Sequence, residues 1–201
     1  MNLDFSDEHR RERLLAAHRL ITQGYRILRD EVGADNPGDN AFLREATICA
    51  TAGLIWVGDR GGTDAESLTG EEVEIKSTRL DARSTIAFPT SRSVSQTVID
   101  RFRAADWWAF GIFDLYESLI AAYRVERGAM APLIDVLEGK LHTRLAAGQG
   151  LENNPKFPFQ AIRPLASQVL YFDAETFEEQ ETDRGWRIVD RTGGGTSPPG
   201  I

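Results

Sequence analysis

The chain has a single cysteine, Cys49, so no disulfide can form within it, and the apolar run ATICATAGLIWV around it reads as buried core. Histidine is scarce: His9, His18 and His142 lie far apart, and neither CxxC nor HExxH occurs, which leaves a zinc site without ligands. No GxxxxGK[ST] or GxGxxG is present, so the nucleotide-binding folds lose their main signature. The glycines of RTGGGTSPP precede no helix and make a poor phosphate cradle. No apolar run approaches the roughly 18 residues that a membrane span needs. The opening MNLDFSDEHRRER is charged where a signal peptide is apolar. These absences predict a cytoplasmic protein that neither enters nor crosses a membrane. Basic residues are also in deficit, the formal charge being −8, which taken alone argues against nucleic acid. Distribution matters more than the sum, because Arg79, Arg83, Arg92, Arg101 and Arg103 fall close together.

What is there suits one substantial domain: 201 residues, 41% of them hydrophobic. From Ser6 to Gly33, Leu14, Leu15, His18, Ile21, Tyr25 and Leu28 recur near helical spacing and predict a long amphipathic helix, interrupted near Gly24. ADNPGDN is a loop, and AFLREATICATAGL a second helix carrying Glu45. LIWVGDRGGTDAES and LTGEEVEIKSTRL read as a β-meander, with Asp64 on one short strand and Glu74 and Lys76 on the next, opposite in face to Val73 and Ile75. Residues 81–92 read as a loop and SVSQTVIDRFRAAD as a helix begun by Ser93 or Ser95. WWAFGIFDLYESLIAAYRVE then forms two buried strands joined near Asp114 to Ser118, which suggests the centre of a mixed sheet. MAPLIDVLEGKLHTRLAA is helical, with Pro132 in its first turn. GQGLENNPKFPFQAI reads as loop, and the tail from residue 191 lacks the means to form a core.

The segment GTDAESLTGEEVEIKST places five carboxylates and one lysine in strand-forming sequence. Residues two apart on a strand share a face, so Glu74 and Lys76 are neighbours, and a hairpin can bring Asp64 opposite them. The two carboxylates and the Ile75 carbonyl offer a partial oxygen shell of the kind that suits Mg²⁺, a hard ion that keeps several waters. Lys76 beside such an ion can hold or help deprotonate an attacking water. The pattern therefore points to metal-assisted phosphodiester hydrolysis. EEVEIKS is equally the sequence of an exposed amphipathic strand with a same-face Glu–Lys pair.

With these residues in place, the sequence resembles the PD-(D/E)xK nucleases, and within them the type II restriction endonucleases. The resemblance rests on the helix ending ATAGL, the glycine turn before TDA, the strand EVEIKS, AFPTSRSVSQTVIDRFR, the strands WWAFGIF and AAYRVE, and LENNPKFPF. It implies an α/β (α+β) fold, a mixed central sheet flanked by helices. Residues 39–190 would form the nuclease core, 1–38 a helical dimerisation region, unless its Leu and Ile stripe packs on its own domain, and 191–201 a flexible tail. It also implies Asp64 and Glu74 as metal ligands, Lys76 as the residue serving the water, and double-stranded DNA as substrate for a homodimer reading a palindrome.

Asn153 and Asn154 are implied as contacts to base edges, with Lys156 closing the same segment; without the resemblance, NNP reads as a turn. Where a relative carries three consecutive histidines for base recognition, Ser91, Arg92 and Ser93 stand here, which implies a different DNA target, and Arg92 suits guanine. Asp39 and Asn40 correspond to residues that approach the minor groove. Phe102 stands where a tyrosine lies near the active-site water and cannot donate. Glu45 is either part of the metal's outer shell or a helix-surface charge. Two other readings compete: a repair or mobile-element nuclease that recognises structure, and a non-catalytic DNA-binding module. The intact Asp64–Glu74–Lys76 trio speaks against the module, and Arg92 with the asparagine pair favours restriction over repair.

Overall fold

The computed structural model describes residues 40–57, 62–80, 86–114, 116–152, 154–183 and 185–191, with isolated helical positions between 16 and 27. By its contacts the chain divides into residues Met1–Leu43 and Arg44–Ile201. The expected N-terminal helix lies outside the described residues except at those isolated positions, where Leu20 and Ile27 are exposed. Asp39 and most of the tail also fall outside.

The first described helix, α1 (Asn40–Ala52), ends where Gly53 takes φ +67° and the Leu54 amide donates to the Cys49 carbonyl at 2.9 Å. That is a Schellman stop, available to glycine at little steric cost. It turns the chain into β1 (Ile55–Trp56), which pairs antiparallel with β2 (Ala65–Glu66), and β2 with β3 (Glu72–Arg79). The expected meander is therefore present. Asp64 sits one residue before β2, still on the ladder, because its amide donates to the Val73 carbonyl at 3.1 Å.

β3 lies parallel to β5 (Trp107–Phe113), and β5 antiparallel to β6 (Leu119–Glu126), which pairs with β8 (Ala166–Phe172). The six-stranded order β1-β2-β3-β5-β6-β8 is the mixed sheet that the apolar strands suggested. Its alternating side chains feed two cores. Val73, Ile75, Trp107 and Ala109 pack with Ile48 and Cys49 of α1, where Gly111 is required because a Cβ there would collide with Ile48. Trp108, Phe110, Ile112, Ala121, Tyr123 and Val125 join the larger core under α2 (Gln96–Ala104) and α3 (Arg127–Ala146). Ser95 is the N-cap of α2, its hydroxyl accepting from the Val98 amide at 3.4 Å.

Several elements depart from the sequence reading. The supposed loop 81–92 contains β4 (Ala87–Pro89), and the supposed loop after α3 contains β7 (Lys156–Pro158) and α4 (Phe159–Ile162). These two strands pair with each other, burying Phe88 against the core opposite Phe157. Three residues are too few to show a period, and the signal lies in the partner strand. Helix α3 begins at Arg127, not at Met130, so Pro132 lies inside the helix beyond its first turn. The Arg127 amide donates to the Asp106 carbonyl at 3.0 Å, and its guanidinium binds the Ala104 and Ala105 carbonyls and Asp106. Tertiary anchoring, not propensity, fixes the start. Strand β8 and the hairpin of β9 (Phe177–Thr182) and β10 (Gly185–Asp190) complete the core without having been foreseen as elements.

Candidate active site

Strand β3 explains why charges meet here. In its parallel register with β5, Glu74 lies beside Trp108 and Lys76 beside Phe110, so both project into the side of the sheet filled by aromatic rings. Glu74 is fully buried and the Lys76 side chain only 11% exposed. The hairpin brings Asp64 across to them, and its Oδ2 accepts the Ile75 amide at 2.7 Å. Lys76 Nζ is the point of convergence. It lies 2.5 Å from Glu74 Oε1, 2.9 Å from the Ile75 carbonyl and 3.5 Å from Asp64 Oδ2. The three oxygens expected to hold a metal therefore surround one cationic nitrogen. The alternative of an exposed Glu–Lys pair is excluded by burial.

The electrostatics are unequal. Burial raises the Glu74 pKa, with Asp64 adding to the rise, and together they outweigh the lowering by Lys76 and Arg101. Burial opposes the charge on Lys76, but Glu74 and Asp64 overcome it and hold its pKa above the usual lysine value. Glu74 Oε2 is buried and has no hydrogen-bond partner among the described residues. A buried carboxylate oxygen left unpaired is costly. Among the described residues no three His, Cys, Asp or Glu side chains group as a metal site. The oxygens gathered here, two carboxylates with a backbone carbonyl, are an all-oxygen set that could hold a hard divalent cation.

Glu45, from α1, belongs to this environment and is not merely a surface charge. Trp56 Nε1 donates to it at 3.4 Å, and its carboxyl is pushed up to about 7 by burial first and then by the like charge of Asp64. Phe102 is fully buried, packed edge-on to Trp108 at 4.9 Å, with Lys76 Nζ 5.6 Å from its ring centre. Its ring holds Lys76 in place by packing and cation–π attraction, without donating a hydrogen bond.

Sequence reasoning missed Arg101, whose Nη2 donates to the same Glu74 Oε1 at 3.0 Å. It stood in the basic run, but only the rotation of α2 separates it from Arg103, which pairs with Asp135 and Glu138. Arg79 lies near Glu117, 3.7 Å away. Arg83 falls outside the described residues.

The expected recognition segments are joined. Thr90 donates to the Pro155 carbonyl through both its amide, at 2.9 Å, and its hydroxyl, at 2.8 Å. The Asn154 amide donates to the Arg92 carbonyl at 2.9 Å. Asn154 takes φ +47°, a left-handed conformation that asparagine tolerates, as the turn reading of NNP expects at that residue. Arg92, Asn154 and Lys156 are exposed, while Ser91 and Ser93 are half-buried. Asn153 lies outside the described residues, and Asn40 is described only as the first residue of α1.

The mixed central sheet flanked by helices agrees with the family to which the sequence points. A model of the family Restriction endonuclease PvuII matches residues 24–171, from the N-terminal region through the whole sheet to β8. The chain belongs to that family within the PD-(D/E)xK superfamily: it is a type II restriction endonuclease, a site-specific deoxyribonuclease that binds DNA, from a family that works with a divalent metal.

Proposed function

We propose that this endonuclease uses Mg²⁺, acts as a homodimer in the cytoplasm and cuts both strands of a short palindromic sequence in double-stranded DNA. The observation that carries the metal assignment is the convergence of Asp64 Oδ2, Glu74 Oε1 and the Ile75 carbonyl on one cationic position, beside the unpartnered Glu74 Oε2. Asp64, Glu74 and Ile75 would hold the ion. When bound, Mg²⁺ supplies charge to polarise the phosphate and to lower the pKa of water.

The chain's own residues do the rest. Lys76, beside these oxygens and packed on Phe102, orients the attacking water and offsets negative charge as it develops on the phosphate. The aromatic floor of Phe102, Trp108 and Phe110 lowers the local dielectric and strengthens each of these interactions.

Recognition is assigned to the joined loops. Arg92 suits guanine O6 and N7 through its fork, Asn153 and Asn154 suit adenine, and Ser91, Ser93 and Lys156 suit groove edges or phosphates. Asp39 and Asn40 are assigned to the minor-groove side. Residues 1–38 are assigned to the dimer contact, supported by the exposed Leu20 and Ile27 at helical positions. A two-fold protein reads a two-fold site.

Digestion of mixed genomic DNA with Mg²⁺, followed by sequencing of fragment ends, tests the reading. The expected result is discrete fragments sharing one self-complementary end sequence. Cutting at random or at branched structures overturns sequence recognition, and asymmetric ends overturn the dimer on a palindrome.

A further inference from the structure

Resting on the nuclease reading, we propose that Arg101 is a further catalytic residue, whose guanidinium contacts the phosphate being cleaved and neutralises the charge that builds on it. Glu74 distributes its bonds unevenly. Oε1 accepts Lys76 Nζ at 2.5 Å and Arg101 Nη2 at 3.0 Å, whereas Oε2 has no partner among the described residues. Two cations on one oxygen repel each other, and any further positive charge drawn to Glu74 weakens the arginine bond before the lysine bond. Lys76 keeps the Ile75 carbonyl and Asp64 as partners, while the Arg101 contact to Glu74 is a single hydrogen bond.

The arginine is built to respond. Its side chain is 22% exposed, twice the value for Lys76, so it lies nearer to solvent. Its Nε is buried without a partner among the described residues, a donor left unused at a cost that structural arginines avoid. The guanidinium carbon lies 5.4 Å from the Phe102 ring centre, within reach of a cation–π attraction that keeps the group beside the site. Helix α2 cannot drift, because Ser95 caps it and Ile99 and Phe102 are fully buried. A guanidinium fork with spare donors matches two phosphate oxygens, and it stays charged throughout the reaction. Arg103, two residues on, is already committed to Asp135 and Glu138.

Arg101→Met and Arg101→Lys test this. For Arg101→Met, single-turnover cleavage of a DNA carrying the recognition site is expected to fall about 10²- to 10³-fold, the loss typical of one transition-state donor. Ca²⁺ affinity of the DNA-free protein, measured by calorimetry, is expected to be equal or higher, because a competitor for Glu74 has gone. Arg101→Lys keeps the charge without the fork and should lie between the two. A parallel loss of Ca²⁺ affinity and rate overturns the role and makes Arg101 a support for Glu74. Unchanged cleavage in Arg101→Met also overturns it, provided the wild type cuts. A wild-type chain that cuts no DNA removes the nuclease reading itself.

Discussion

Glu179 and Glu74 each meet an arginine beside aromatic rings, and they are treated in opposite ways. Glu179, on β9, uses both oxygens: Arg163 donates to Oε1 at 2.7 Å and to Oε2 at 2.8 Å, and the Tyr123 hydroxyl donates to Oε1 at 2.6 Å. Arg163 itself lies over Trp186, 4.6 Å from its ring centre, and over Tyr123. Burial pushes the Glu179 pKa up, but Arg163 and Tyr123 more than reverse it, and the carboxyl ends below its ordinary value. Glu74 ends above, with one oxygen crowded and the other bare. A satisfied cluster is a fastener, here between the β9–β10 hairpin and the sheet. On the proposed reading the unsatisfied one reserves a place for a ligand, at a cost to the folded chain.

The largest expected effect falls on the reserved cluster. Lys76→Ala should lower cleavage by about 10²- to 10⁴-fold, measured in single-turnover assays, while DNA affinity in Ca²⁺ stays within a few-fold of wild type. Cleavage at the wild-type rate would show that the lysine is only a counter-ion. Next comes the fastener. Arg163→Ala should cost about 2–3 kcal/mol in urea denaturation, the figure for a broken buried pair reduced for its partial exposure. Glu74→Gln should cost less without metal, since the folded chain already disfavours that charge and Lys76 keeps the Ile75 carbonyl and Asp64. If Glu74→Gln proves the more damaging to stability, the contrast between the clusters fails.

Arg92→Ala should weaken binding by about 1–3 kcal/mol at a single G·C pair, read by titrating DNA variants; uniform weakening across sequences would make it a phosphate contact. The smallest effect concerns Glu45. Its carboxyl is raised to about 7, so as pH climbs from the ordinary carboxylate range to about 7 the unfolded chain ionises first and stability declines. Glu45→Gln in chelator should therefore stabilise by on the order of 1 kcal/mol at pH 8 and not at pH 4. A gain independent of pH would show that the effect is packing.

The candidate site was legible because its chemistry is local. Glu74 and Lys76 are two apart on one strand, and Asp64 is a hairpin away, so strand periodicity and one glycine turn suffice to join them. The central strands were legible for a similar reason, being long and apolar. The ribbon of β4 and β7 was not, since Phe88 and Phe157 stabilise it from segments nearly seventy positions apart and neither carries a pattern alone. Arg101 was hidden among arginines, distinguished only by how α2 rolls on Phe102 and Ile99. The start of α3 was misplaced because the Arg127 contacts that set it are tertiary.

With Arg92 and Asn154 reading DNA as proposed, the hydrogen bond from the Asn154 amide to the Arg92 carbonyl bears on how this enzyme can be retargeted. A chimera that transplants only one loop from a relative inherits half of a shared hinge, and the side chains of both halves lose their aim together. New specificities should arise by exchanging the two segments as one cassette.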